Sequence, residues 1–288
     1  MGEGLDLSVI SERTGNFTGA GGVRLFFRIW EPEAPRATLV LVHGMNEHIG
    51  RYAHVAQFFA ERGFAVYGMD HRGYGQSEGP RCHVNRFEEY LEDLRLLVDM
   101  AQERTRPFMV GHSLGGLIAF RYALAYPDTI EALVVSSPFF AQKTKVDPVT
   151  RALAPILSLM LPRLQLSVPF APENVCRDPD IVQKYATDPL VGRKATPRWF
   201  TEATRAGLAC HQGLTQSMKL PVLFLQAGDD LIVDPEGTRA VYAQVPHQRK
   251  AFKLYPGKYH EIFNDPGREE VFQDILNWLQ EQELLPTV

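Results

Sequence analysis

A chain of 288 residues, 45% hydrophobic and 22% charged, has the length for one large α/β domain or two small ones, and its composition excludes a disordered or fibrous protein. A net charge of -4, with no long lysine or arginine cluster, excludes a chain built to grip the phosphate backbone of nucleic acid. The three cysteines, Cys82, Cys176 and Cys210, lie far apart in no metal-ligand or paired spacing, which fits a reducing compartment and small apolar roles. The acidic start Met1-Gly2-Glu3-Gly4-Leu5-Asp6 lacks a signal-peptide core, and Asp6 stands where a myristoylation signal wants Ser or Thr. No run reaches the ~18 apolar residues of a membrane span. The expected location is the cytoplasm, with peripheral membrane attachment left open.

Glycines in 15–22 suggest an opening hairpin turn. Short β-branched apolar runs follow at 23–30, 37–43, 65–69, 108–111, 132–136, 222–226 and 251–255. Between them, 52–62, 87–102, 114–126, 235–244 and 268–280 carry apolar residues at the three-to-four spacing of helices. That alternation predicts an α/β fold with a mostly parallel twisted sheet and helices on both faces. From about 139 to 219 the strand signals stop, and helical, proline-punctuated segments at 147–161, 179–186 and 196–214 take over. So long a stretch without strands reads as a helical insertion. The expected organisation is a core from 1–138 and 220–288, interrupted by a cap at 139–219. Segment 152–166, rich in Leu, Met and Ala and broken by Pro155 and Pro162, fits either a packed helix or a partly exposed lid that meets lipid.

Gly111-His112-Ser113-Leu114-Gly115 joins the run 107–110 directly to the helix at 114–126. This strand–turn–helix setting makes Ser113 the candidate nucleophile, because flanking glycines relieve a sharp turn that lifts the hydroxyl above the carboxyl edge of the sheet. A serine hydroxyl needs an imidazole to accept its proton. With the chain order Ser, acid, His, only His211, His247 and His260 remain. His211 falls in the insertion and His247 at the wrong end of the last strand, whereas His260 follows that strand at the carboxyl edge. The orienting acid should follow the run 222–226, where Asp229, Asp230 and Asp234 stand. Asp234 precedes Pro235 as a helix N-cap; Asp230 is favoured, with its neighbour Asp229 as competitor. An oxyanion needs main-chain donors. Leu114 N–H would supply one, and Met45 N–H, in His43-Gly44-Met45-Asn46-Glu47-His48, the other.

Together these stretches, with Arg51-Tyr52, Asp70-His71-Arg72-Gly73-Tyr74-Gly75-Gln76-Ser77, Asp230-Leu231-Ile232-Val233-Asp234-Pro235 and Tyr255 to His260, resemble the monoacylglycerol lipase and lysophospholipase branch of the α/β-hydrolases. The matches run in the family's order over roughly residues 20 to 280. The resemblance implies a serine hydrolase with a helical cap, acting without cofactor on an ester of one long acyl chain, a small lipid. It aligns the catalytic aspartate with Asp230. It also puts Asn46, Glu47, Arg51 and His112 near the glycerol or head-group end, as substrate contacts or as loop residues behind them. Asn46 departs from the family's His-Gly-x-Gly-Glu-His loop by replacing the second glycine, so a left-handed backbone or an altered loop is expected there. Lysophospholipid and shorter esters stay open as substrates, as does a receptor that kept the fold without turnover. Gly73 and Gly75 lack the spacing of a phosphate cradle, and no zinc-binding pair is present, so no metal is expected. Contact with a membrane or micelle through the cap, and a monomer or cap-mediated dimer, complete the expectations.

Overall fold

The computed structural model describes residues 10–143, 148–168 and 171–285, and only the backbone at 148–152. The chain opens with an antiparallel pair, β1 (Ile10–Thr18) and β2 (Arg24–Pro32), joined through a tight turn at Ala20–Gly22. The turn predicted at 15–22 lies in the second half of that stretch, at 19–22, while 15–18 belong to strand β1. Strand β1 is missed by pattern because Ser11, Glu12, Arg13, Thr14 and Asn16 face solvent on a sheet edge, where no buried face imposes alternation. Phe27 closes over Gly15, whose missing Cβ leaves room for the ring 2.5 Å from where that Cβ would lie.

Next come β3 (Ala37–Val42), α1 (Ala53–Ala60), β4 (Phe64–Met69), α2 (Glu88–Ala101), β5 (Phe108–His112), α3 (Leu114–Ala125) and β6 (Ala132–Ser136). After β6 the chain forms α4 (Pro148–Met160), β7 (Leu166–Ser167), α5 (Pro179–Thr187), β8 (Lys194–Ala195) and α6 (Pro197–His211). It closes with β9 (Val222–Ala227), α7 (Pro235–Gln244), β10 (Lys250–Tyr255) and α8 (Arg268–Glu281). The main sheet has the order β1-β2-β4-β3-β5-β6-β9-β10 and is parallel from β4 to β10.

Both faces of the central strands are buried, so successive residues serve different layers. Leu39 and Leu41 of β3 pack with Val55, Ala56 and Phe59 of α1 and Val271, Ile275 and Leu279 of α8. Val40 and Val42 pack with α2, α3, α6 and α7 on the opposite face. Phe224 on β9 lies wholly inside that second layer, against Phe120, Phe140 and Tyr242.

Among the described residues between β6 and β9 no strand joins the main sheet; β7 and β8 pair with each other, a ribbon that the strand-free reading of 139–219 did not foresee. Helix α5 starts at the N-cap Asp178, which accepts from Asp180 N–H, and α6 at Thr196, which accepts from Trp199 N–H; proline occupies the first turn of each. Helix α4 continues through Pro155; the expected start of this helix, Asp147, and the acidic residues 1–6 lie outside the described residues. Leu159 and Met160 at the end of α4 are 74% and 70% exposed, and Leu161, Leu164 and Leu166 beyond it are also exposed. No helix among the described residues is long and apolar enough to cross a membrane.

Because the Phe224 ring is enclosed on all sides, Phe224→Ala is expected to lower the unfolding free energy by about 3–5 kcal/mol, read from urea denaturation midpoints.

Candidate active site

Strand β5 runs straight into α3, and the single residue between them, Ser113, takes φ 52° and ψ -119°. L-residues seldom adopt such a backbone, and it persists only where neighbours hold it. Ser113 N–H donates to Ser136 O at 2.9 Å, while Ser113 O accepts from Leu117 N–H and Phe139 N–H. The flanking glycines are required by contact: a Cβ on Gly115 would stand 2.1 Å from Val42 O, and one on Gly111 2.4 Å from Gly115 O. The turn thus presses against the carboxyl end of β3, where the next loop begins.

His260, in the loop after β10, reaches Ser113 Oγ with Nε2 at 2.9 Å and Asp230 Oδ2 with Nδ1 at 2.8 Å. Asp230 is fully buried, and its Oδ1 accepts from Ile232 N–H and Val233 N–H. Asp229 points outward and is exposed, and Asp234 caps α7 by accepting from Glu236 N–H. His211 ends α6 and His247 precedes β10, so neither joins the serine. Burial opposes charge on Asp230, but the facing His260 and the two N–H donors hold its carboxyl below the usual range. Burial likewise opposes the imidazolium of His260, yet the Asp230 charge and hydrogen bond raise its pKa above the ordinary value, helped by Glu261 and Glu47.

The loop after β3 packs against this group. Gly44 lies so close to Ser113 that a Cβ there would stand 3.1 Å from the serine Cβ. His43 Nε2 accepts from His71 N–H, which puts the ring proton on Nδ1, facing Gly44 O at 2.8 Å. Asn46 takes φ 56°, so of the two alternatives left open by its replacement of glycine, a left-handed backbone or an altered loop, the structure has the first. Among the described residues, no acceptor takes the N–H of Met45 or of Leu114.

Glu47 and Arg51 spend their polar atoms inside the protein. Glu47 Oε1 accepts from Gly44 N–H and Tyr52 Oη–H, its Oε2 from Arg51, and Arg51 makes a two-bond ion pair with Glu261 at 2.7 and 2.6 Å. The Arg51 guanidinium also lies 4.6 Å from the ring centre of Tyr185 on α5. Burial pushes the Glu47 carboxyl up, whereas for Glu261 the Arg51 charge overcomes burial and lowers the pKa to about 2. His112 is buried with its ring 4.7 Å from that of His260, and its Nδ1 meets Ser136 Oγ at 3.2 Å. Burial, then the neighbouring His260, lowers its pKa to about 3, so it stays neutral. Asn46 is buried, and its Oδ1 has no hydrogen-bond partner among the described residues. Sequence reasoning missed Glu261, whose only signal was its place beside His260, and Tyr185, which carries no motif; Tyr52 entered it only as part of the Arg51-Tyr52 match, without a role.

All three cysteines are free and buried; burial pushes the Cys176 and Cys210 thiols up to about 12 and Cys82 higher still. Among the described residues, no three His, Cys, Asp or Glu side chains are grouped to hold a metal ion.

A family model described as Serine aminopeptidase, S33 matches residues 33–267. A monoacylglycerol lipase of Mycolicibacterium smegmatis is 37% identical over 271 residues, 92% of this chain and 95% of that one. Phospholipase YtpA of Bacillus subtilis is 30% identical over 246 residues, 85% of this chain and 95% of its own. The crystal structure of Paleococcus ferrophilus monoacylglycerol lipase superposes with a TM-score of 0.80 at 33% identity, over 94% of this chain and 98% of that one. The sheet order and flanking helices are those of the α/β-hydrolase fold.

Histidine titration by NMR should show His260 gaining its proton at a pH above the ordinary ~6.5. Asp230→Asn should bring that midpoint down, since the charge that raises it is gone; an unmoved midpoint would contradict the assignment of cause. Arg51→Met leaves two buried carboxylates facing one another, and is expected to cost about 3–5 kcal/mol of stability by chemical denaturation.

Proposed function

The chain belongs to the hydrolase family described as Serine aminopeptidase, S33, and from that premise we propose that it is a monoacylglycerol lipase, a serine hydrolase that splits fatty acid from glycerol. The reading rests on the unbroken hydrogen-bond chain from Ser113 through His260 to Asp230, beside two main-chain N–H groups that no acceptor among the described residues takes. Ser113 Oγ attacks the ester carbonyl as His260 Nε2 takes its proton. Negative charge gathers on the carbonyl oxygen, and the N–H groups of Met45 and Leu114 receive it. The tetrahedral adduct collapses as His260 returns the proton to the departing glycerol oxygen, leaving an acyl ester on Ser113. Water, deprotonated by the same imidazole, then releases the fatty acid and restores the serine. Asp230 keeps the His260 proton on Nδ1 and stabilises the cation formed in each half.

Glu47, Arg51 and His112 act in this scheme as positioning residues. Glu47 fixes the Gly44 N–H and so the direction of Met45 N–H, Arg51 ties that loop to Glu261 beside the base, and neutral His112 backs the His260 ring. Asn46 borders the substrate. Residues 139–219 form a cap, and the exposed leucines and Met160 around the end of α4 meet the lipid aggregate that delivers the substrate. The family description names a peptidase, but the relatives at 37% and 33% identity are monoacylglycerol lipases, and these favour the ester. Lysophospholipid hydrolysis is the second reading, favoured by the 30% identical phospholipase.

A fluorophosphonate probe is expected to label the folded protein at Ser113 and not the Ser113→Ala variant, whose kcat should fall by at least about 10⁴. Turnover of monoacylglycerols of graded chain length should exceed that of the matched lysophosphatidylcholines. Absence of labelling overturns the hydrolase reading, and equal turnover of the lysophospholipids overturns the choice of substrate.

A further inference from the structure

Beside the loop that carries Met45 lies a cavity of about 580 Å³ whose wall includes Asn46, Arg81, Arg163, Gln165, Arg193 and Lys194. Four of these six are cations, no carboxylate lines the cavity, and none of the four forms an ion pair among the described residues. In a chain of net charge -4 such a cluster is a local feature, and it leaves a field that only an anion relieves. Two acceptors there lack partners as well: Asn46 Oδ1 and Gln165 Oε1 are buried without a hydrogen bond. An anion alone cannot satisfy them, because they require donors.

The wall is built rather than loose. Arg81 Nη1 donates to Gly75 O at 3.0 Å, Gln165 Nε2 donates to Arg81 O at 2.8 Å, and Arg193 donates to Ala186 O. The β7–β8 ribbon holds the segments that carry Gln165 and Lys194 together. Along 161–166 the exposed Leu161, Leu164 and Leu166 alternate with Arg163 and Gln165. A lipid surface that takes the leucines therefore brings its head groups to the cations.

We propose that this cavity binds the phosphoglycerol head group of an anionic membrane lipid. The phosphate lies among Arg81, Arg163, Arg193 and Lys194, and the glycerol hydroxyls donate to Asn46 Oδ1 and Gln165 Oε1. The site rests on the reading that the α4 end of the cap meets lipid, and it adds selectivity to what the leucines do by burial alone. Because Asn46 adjoins Met45, occupancy also anchors the cap beside the reacting ester.

The test is cosedimentation of the full chain with phosphatidylcholine vesicles, and with vesicles partly replaced by phosphatidylglycerol or by phosphatidylserine. The expected order of affinity is phosphatidylglycerol, then phosphatidylserine, then phosphatidylcholine. R163E/K194E should weaken binding to phosphatidylglycerol vesicles by on the order of thirtyfold or more, and leave both phosphatidylcholine binding and turnover of dispersed monoacylglycerol unchanged. Binding to phosphatidylcholine with no anionic increment overturns this site alone, whereas binding to no vesicle overturns the lipid-facing cap with it. Equal affinity for the serine and glycerol lipids overturns the hydroxyl contacts. Free glycerol phosphate binding as tightly as the vesicles would assign the cavity to a soluble anion and overturn the proposal.

Discussion

The backbone of Ser113 is the constraint on which the rest of the site depends. Its φ of 52° and ψ of -119° cost energy that Ser136 O, Phe139 N–H and the start of α3 must hold in place. The turn can be this tight only because Gly111 and Gly115 admit the backbone of α3 and β3 to within contact. The same crowding sets Gly44 against the serine. Ser113, the candidate nucleophile, and the loop of candidate oxyanion donors are therefore fixed by one close approach at the carboxyl edge of the sheet, where parallel strands leave a crevice.

Around that point a second layer couples loops that are distant in sequence. Asp70 accepts from Ile49 N–H and Gln76 N–H, so the glycine-containing stretch after β4 braces the loop after β3. Arg51 joins that same loop, through Glu47, to Glu261 next to His260. A buried guanidinium between two carboxylates is expensive to assemble and more expensive to break, so any movement of one loop is felt by the other. The charges also act at a distance: Glu261 and Glu47 both raise the pKa of His260, after Asp230, while His112 stays neutral beside it.

The segment between β6 and β9 has two unlike ends. From Val175 to Asp188 it is tied to the core by polar contacts: Glu261 N–H donates to Val175 O, Arg177 pairs with Asp265, and Asp188 meets His48 at 2.9 Å. From Leu153 to Leu166 it instead exposes a row of large apolar side chains, for which water is a poor solvent. One end is suited to register the segment over the site and the other to leave the protein's own surface.

Much was legible in the sequence because its signals are local. Alternating apolar runs, the capping Asp234 before Pro235, and the glycines around Ser113 each report a backbone requirement met within a few residues. Chain order and strand position likewise narrowed the imidazole to His260, but they left Asp229 beside Asp230, since adjacent residues differ only in which way they point. Only the tertiary structure decides that, by burying Asp230 against Ile232 and Val233 N–H and turning Asp229 to solvent. It alone reveals β1, whose polar edge position imposes no pattern, and the β7–β8 ribbon, too short to carry one. It alone joins Glu47 and Arg51 to Glu261, which lies 210 positions beyond Arg51, because charge pairing depends on distance in space and leaves no period in the chain.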